Sequence, residues 1–222
     1  MSKRINIFVG GFGSGKTEIS INYSIDCKKK FPQVAIVDLD IVNPYFRSRE
    51  AKEILETHGV KMVSPSGKLT YSDVPIISPE IKGLIQNDAF RLILDVGGDD
   101  VGSIVLGNFR NFIKDFDYEM FLVVNTYRPF TRTISQIRQI AQEIENVSRL
   151  KITGIVSNPN LSKQTNEEII VKGHGEIVKA SNALNIPIKF LCVNDIFGQY
   201  FKRTDINERI FYIKTFMKLP WN

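Results

Sequence analysis

Cysteine is scarce in this chain: two in 222 residues, Cys27 and Cys192. They stand far apart, and no C-x-x-C or Cys/His spacing surrounds them, which argues against a zinc site or an iron–sulfur cluster. Histidine is equally rare; His58 and His174 have no metal-like partners in the sequence and read as surface residues. Long apolar runs are missing too. Nothing approaches the roughly 18 consecutive apolar residues of a membrane-spanning helix. Lys3-Arg4 precedes an apolar run too short for a leader, and a glycine-rich segment interrupts it. Charge of one sign is in modest excess, +5 with a pI near 9.1, which does not mark a dedicated nucleic-acid binder. The one basic cluster, Lys28-Lys29-Lys30, sits at an expected helix end, where cations suit the helix dipole. Internal repeats, low-complexity tracts and linkers are absent.

What is present is a hydrophobic fraction of 43% beside 24% charged residues, ordinary for a globular protein with a sizeable core. Short apolar segments alternate with helical ones. Strands are expected over Ile5–Val9, Gln33–Asp38, Lys61–Ser64, Phe90–Asp95, Met120–Val124, Lys151–Val156 and Ile188–Val193. Helices are expected over Glu18–Lys30, Ser48–His58, Glu80–Gln86, Val101–Phe116, Thr131–Arg149, Asn166–Leu184 and Asn207–Met217. The Thr131–Arg149 segment keeps Ile134, Ile137, Ile140, Ala141, Ile144 and Val147 on one face. Gly173 and Gly175 weaken the Asn166–Leu184 helix. In the last helix Ile206, Ile210, Ile213 and Met217 form a stripe, flanked by Phe211, Phe216 and Trp221, that packs on its own domain rather than touching membrane. Apolar strands without alternation, each separated by a helix, imply an α/β fold: one doubly wound, mostly parallel sheet with helices on both faces, formed by residues 1–222 as a single domain.

The organising stretch is Gly10-Gly11-Phe12-Gly13-Ser14-Gly15-Lys16-Thr17, which fits G-x-x-x-x-G-K-[ST]. A strand precedes it and a helix follows. Successive backbone N–H groups must point inward at an anion there, in conformations glycine adopts cheaply. The helix start adds its unpaired N–H groups and positive dipole end. Lys16 supplies a point charge for terminal phosphates, and the Thr17 hydroxyl can ligate Mg²⁺. Gly11, Phe12, Gly13, Ser14, Gly15, Lys16, Thr17 and Glu18 are therefore the expected nucleotide-binding residues.

Asp95 ends a run of apolar residues, as a strand-tip acid beside a phosphate loop does when it holds Mg²⁺ directly or through water. Gly97 and Gly98 follow, and Gly98 would let a backbone N–H approach the terminal phosphate. Asp38 and Asp40 lie at the end of the second strand, spaced to face one side. One carboxylate of that pair would reach the metal's hydration shell, and the other would orient an attacking water. Metal-holding residues are thus expected to be Thr17, Asp38 and Asp95.

An N-terminal phosphate loop, an Asp-x-Asp closing the second strand and a strand-ending Asp-x-Gly-Gly together resemble the MinD/ParA/CobQ–CobB group of P-loop ATPases. These belong to the SIMIBI class, with signal-recognition GTPases and nitrogenase iron protein. The resemblance implies that Asp40 positions the water, that Asp95 is the Walker B acid, and that Lys16 and Asp40 are the catalytic pair. It departs in one respect: many such ATPases carry a second lysine after the first loop glycine, and Gly11 stands there. Arg47, Arg49, Arg128 and Arg132, near the expected carboxyl edge of the sheet, are candidates to supply the missing charge.

Guanine readers of this class use Asn-Lys-x-Asp. Asn158-Pro159-Asn160-Leu161 lacks the Asp, and Asn158 resembles the adenine-contacting Asn of the family. Asn194-Asp195 would form the second loop over the base. ATP and Mg²⁺ are the expected cofactors. The resemblance further implies a slow cytoplasmic ATPase, a homodimer in the ATP state and a protein client, with no strong nucleic-acid or membrane signal. Two rivals are a ligase of dethiobiotin-synthetase or cobyrinate-amidase type, with a pocket from Tyr71, Tyr127 and Arg128, and a DNA- or membrane-positioning ATPase.

Overall fold

The structure, a computed structural model, describes residues 3–40, 48–64, 78–98, 100–198, 201 and 206–217, with the backbone alone for 48–51, 100 and 101. The strands are β1 (Ile5–Val9), β2 (Val34–Leu39), β3 (Lys61–Val63), β4 (Arg91–Val96), β5 (Tyr118–Val124), β6 (Gly154–Ser157), β7 (Ile188–Asn194) and β8 (Ile210–Ile213). The helices are α1 (Lys16–Lys28), α2 (Ser48–Thr57), α3 (Pro79–Gln86), α4 (Asp100–Ile113), α5 (Ile134–Ser148) and α6 (Glu167–Leu184). The strands form one sheet in the order β3-β2-β4-β1-β5-β6-β7-β8, and every pairing is parallel. From β1 the chain fills one side of the sheet, returns as β4, then fills the other. Open α/β sheets bind ligands where the strand order reverses in this way, and that crevice lies over the tip of β1.

Strand parity explains the layers. Ile5, Ile7 and Val9 pack with Phe109 of α4, Ile137 and Ala141 of α5 and Ile177 of α6. Phe8 turns to the opposite face and joins Ile19 of α1 and Leu55 of α2. Both faces are covered, so the strands carry no polar side and read as continuous apolar runs. Under α1 the rings of Phe8, Tyr23, Phe121, Phe190 and Phe211 sit 5.2–6.2 Å apart in mostly edge or tilted contacts. This aromatic bed fixes α1, and with it the phosphate loop, on the sheet.

Local signals set most helix starts. The Ser78 side chain accepts from Ile81 N, Asn166 accepts from Ile169 N, and Thr133 with Gln136 completes a capping box at α5. Val147, expected on the buried face of α5, is instead 40% exposed. Gly173 does not weaken α6. A Cβ there would lie 2.5 Å from Pro159 Cβ and 2.9 Å from Tyr127 Cε2, so the glycine lets α6 close onto the β5 and β6 loops.

The terminal segment differs from expectation. Residues 207–217 do not form a helix; Ile210–Ile213 is an edge strand paired with β7. The 4-3-4 spacing of Ile206, Ile210, Ile213 and Met217 suits a helix, but Phe211 and Ile213 are buried while Tyr212 is exposed. Period-2 burial on an open sheet edge overrides the helical stripe. Beyond β8 the chain is tied to α1: Asn22 Nδ2 donates to Lys214 O at 2.9 Å, and Lys214 N donates to Asn22 Oδ1 at 2.8 Å. Trp221 and residues 65–77 lie outside the described residues.

Both thiols are buried, Cys27 on α1 and Cys192 on β7. Burial pushes the Cys27 thiol up to about 11 and the Cys192 thiol higher still. The thiolate is the reactive form. Neither cysteine should therefore be alkylated by iodoacetamide at pH 8 in the folded protein, and both should react in denaturant. Intact-mass spectrometry reads the outcome; rapid native labelling would contradict the burial. Among the described residues no helix is long and apolar enough to cross a membrane.

Candidate functional site

The loop after β1 adopts the cradle its composition demands. Gly10, Gly13 and Gly15 have φ of 141°, 72° and 97°. A Cβ at Gly10 would lie 2.5 Å from Val123 O of β5, and one at Gly15 would collide with Asn158 Nδ2. No residue with a side chain fits either place without moving the wall. Ser14 N donates to Gly11 O at 3.2 Å, and α1 begins at Lys16 with Gly15 as its cap. Lys16 is 7% exposed; its Nζ folds back across the loop and donates to Gly11 O at 3.1 Å. The buried Ser14 hydroxyl has no hydrogen-bond partner among the described residues. A concave row of N–H groups, one lysine and an unused hydroxyl is a donor set for an anion.

The acids converge beside it. Phe8, Asp95 and Asp38 stand in register across β1, β4 and β2. Phe8, Ile36 and Ile93 pack in the layer under α1 and α2. Strand parity therefore puts Asp38 and Asp95 on the same face as α1, whose first turn carries Thr17. Asp95 is 3% exposed. Asp38 Oδ1 accepts from Asp40 N at 2.9 Å, so the pair forms a turn that leads the chain off the strand tip. Among the described residues no group of three or more His, Cys, Asp or Glu side chains is gathered to hold a metal. A cation bound by one or two acids and the ligand's own phosphates needs no such group.

Gly98 is pressed against the loop. A Cβ on it would lie 2.7 Å from Lys16 Nζ and 2.8 Å from Phe12 N and Cα. The strand-end glycine thus touches both the loop backbone and its lysine. Phe12 itself is 68% exposed on the rim.

Asn125 was not singled out by sequence reasoning, yet it ties two tips together. Its Nδ2 donates to Asn160 O at 2.8 Å, and its Oδ1 accepts from Tyr127 N at 3.1 Å and Asn160 N at 3.3 Å. Its carbonyl accepts from Thr131 Oγ1 at 2.7 Å and Arg128 N at 3.0 Å. Residue 125 follows a buried strand, where an amide is easily read as a turn former; its further partner, Asn160 on the neighbouring β6 loop, lies 35 residues away. Asn158 Nδ2 donates to Ser14 O at 2.7 Å, so one amide hydrogen braces the phosphate loop. The other hydrogen and the carbonyl are the side chain's further capacity toward a base edge.

Other expected residues are used differently. The Asn194 amide caps the short turn Asp195–Phe197, accepting from Ile196 N at 3.1 Å, and donates to Thr215 Oγ1 at 2.8 Å. The Glu18 carboxylate accepts from Phe216 N at 2.7 Å and Met217 N at 3.1 Å, facing the terminal segment; burial raises its pKa against the pull of those two N–H groups. Only its backbone belongs to the loop end. Tyr127 OH donates to Ile169 O at 2.7 Å. His174 is not a surface residue: it is 4% exposed and bridges Ser157 Oγ, 3.0 Å from Nδ1, and Glu208 Oε2, 3.1 Å from Nε2. Among the candidate arginines, Arg128 Nε donates to Gly13 O at 3.1 Å. The Arg132 residue is exposed and its backbone N–H donates to Gln136 Oε1. Arg47, Tyr71 and the Arg49 side chain lie outside the described residues.

A parallel α/β sheet with a glycine cradle between its central strand and first helix is the fold of P-loop nucleoside triphosphatases. No protein-family model and no curated protein matches the chain. Solved structures match it in fold. It is similar to the cell division protein FtsY of Thermotoga maritima, with TM-score 0.58 and 20% identity over 86% of this chain and 61% of that one. It is similar to the Signal Recognition Particle 54 kDa protein of Aeropyrum pernix K1 in complex with GDP, with TM-score 0.55 and 16% identity over 86% and 41%. FlhF complexed with GTP/Mg²⁺ matches with TM-score 0.55 and 13% identity over 86% and 66%. This chain spans less than two thirds of the length of each. These likenesses are of fold alone, and none of the three neighbours is a MinD- or ParA-type protein.

Proposed function

We propose that the chain is a Mg²⁺-dependent ATP-binding and ATP-hydrolysing switch. The observation carrying this reading is the glycine cradle, closed by Lys16 on Gly11 O, with Asp95 in register beside the strand that feeds it. Loop N–H groups and Lys16 would hold the phosphates. Thr17, Asp95 and Asp38 would hold the cation, directly or through water. Bound Mg²⁺ would draw charge from the phosphate oxygens. Asp40 would orient the attacking water in line.

Adenine is favoured because residues 158–161 offer no carboxylate for the guanine edge, while Asn158 keeps acceptor and donor capacity toward N6 and N7. The GTP and GDP bound by two of the fold neighbours favour the second reading, a guanine nucleotide. Asn194 contributes through the shape of its capped turn. A ligase pocket loses support because the Tyr127 hydroxyl is spent on Ile169 O. Exposed Phe12 and Phe130, 68% and 73%, stand on loops of adjacent strands at the nucleotide edge. They support self-association in the triphosphate state and action on a protein client.

Titration with ATP and GTP, each with and without Mg²⁺, tests the reading. ATP should bind at least about tenfold tighter than GTP, the discrimination two lost base hydrogen bonds would cause. Light scattering with a non-hydrolysable ATP analogue should report a doubled mass. Tighter GTP binding would replace the base assignment, and no binding of either would sink the function.

A further inference from the structure

Arg128 does more than close a loop. It belongs to the β5–α5 connection, yet its Nε hydrogen bonds to Gly13 O in the wall of the phosphate cradle. Its Cδ and Nε would lie 3.7 Å from a Cβ on Gly13, so the half-buried side chain lies along the loop, with its bond to Gly13 O exposed to water. Its backbone is clamped: Arg128 N donates to Asn125 O, and Thr131 Oγ1 donates to Asn125 O and to Arg128 O at 2.7 and 3.3 Å. Asn125 is in turn fixed to Asn160. A planar guanidinium bears five N–H groups in a rigid fork, and Nε uses one at Gly13. Among the described residues Nη1 and Nη2 make no hydrogen bond, and they stand within one guanidinium width of the cradle wall.

Gly11, the second residue of the loop, brings no charge of its own. A Cβ there would meet Ile140 Cδ1 at 3.6 Å, an apolar wall. Among the described residues the loop therefore has Lys16 within it and one further cation bonded to it, Arg128.

We propose that Arg128 is a cis-acting arginine that meets the charge developing on the transferring phosphoryl group. This rests on the nucleotide reading above. Lys16 and the loop amides bind phosphate before and during transfer. Arg128, held at the loop wall by one nitrogen, places its remaining fork where charge spreads over the phosphoryl oxygens. Atoms balance as in any hydrolysis: water oxygen bonds to phosphorus, the bond to the leaving diphosphate breaks, and the water's proton leaves with phosphate.

The test uses the full chain with Arg128→Ala, Arg128→Lys and Arg128→Gln. Glutamine can still donate to Gly13 O, so it keeps the brace and removes the charge. All three should bind ADP within about threefold of the wild type. The Ala and Gln variants should lose about a hundredfold in single-turnover rate. Both should fail to bind ADP with aluminium fluoride, a planar mimic of the phosphoryl group, which the wild type should bind tightly. Lysine should restore the rate only in part, since it lacks the fork. A Gln variant with wild-type rate and mimic binding would make Arg128 a brace and overturn the proposal. So would parallel loss of ADP affinity and rate. Wild-type protein that binds no nucleotide would sink the functional reading itself, whatever the variants do.

Discussion

Lys16→Ala is expected to leave a folded protein that no longer holds a nucleoside triphosphate. The fold should survive because Lys16 stands at the start of α1, outside the apolar layers, and its hydrogen bond to Gly11 O is a local loop contact. Such a bond contributes about 0.5–1.5 kcal/mol net. For a domain this size the melting temperature should fall by about 2–4 °C per kcal/mol lost. The functional loss should be far larger. Lys16 is 7% exposed, so its ammonium acts where water screens little. Charge-assisted bonds to phosphate are each worth roughly 1.5–3 kcal/mol, and two of them correspond to about a hundredfold or more in affinity. Turnover should drop by about 10²–10³. Calorimetric titration and a phosphate-release assay measure both. Unchanged affinity with a normal melting curve would mean that the cradle serves another anion or none.

Asp95→Asn should separate stability from metal dependence. The residue is the last but one of β4, at 3% exposure, between Phe8 of β1 and Asp38 of β2. Asparagine has almost the same shape, and it removes a charge that is costly to bury. The melting temperature of the nucleotide-free variant should stay within about 4 °C of the wild type. Binding should change in one particular way. Wild-type affinity for ATP should rise at least about tenfold on adding Mg²⁺, because the cation joins phosphate to protein acids. In the variant that increment should vanish, while metal-free ATP affinity should hold or improve as repulsion is relieved. Persistence of the full magnesium effect would move the metal away from β4. Collapse of the apo fold would make Asp95 a structural acid.

These variants draw on residues that the sequence displayed unequally. Lys16 belongs to a contiguous motif whose spacing is set by backbone geometry, so eight adjacent letters describe the loop. Asp95 was legible because a charged residue after three apolar ones, near the end of a buried strand, needs a polar or ionic partner. Asn125, Arg128 and Gly98 were harder. Asn125 and Arg128 stand in a stretch that reads only as loop, and their partners Asn160 and Gly13 lie 35 and 115 residues away. Gly98 was expected to serve a phosphate; its contact with Lys16 and Phe12 depends on how β4 lies against β1. Glu18 shows the same dependence on distant partners. Its carboxylate turns to Phe216 and Met217, 198 and 199 residues away.

The sequence by itself determined the alternation of strand and helix, the phosphate loop and the acid at the tip of β4. Each is encoded within a few consecutive residues, where apolar runs, glycine positions and chain stiffness act locally. Tertiary structure alone decided that Ile210–Ile213 is an edge strand, that His174 is buried between Ser157 and Glu208, and that Arg128 is bonded to the loop. Those outcomes depend on which distant segment supplies an open sheet edge, a buried polar partner or a carbonyl. Such partners are fixed by the packing of the sheet and leave no short-range mark in the chain.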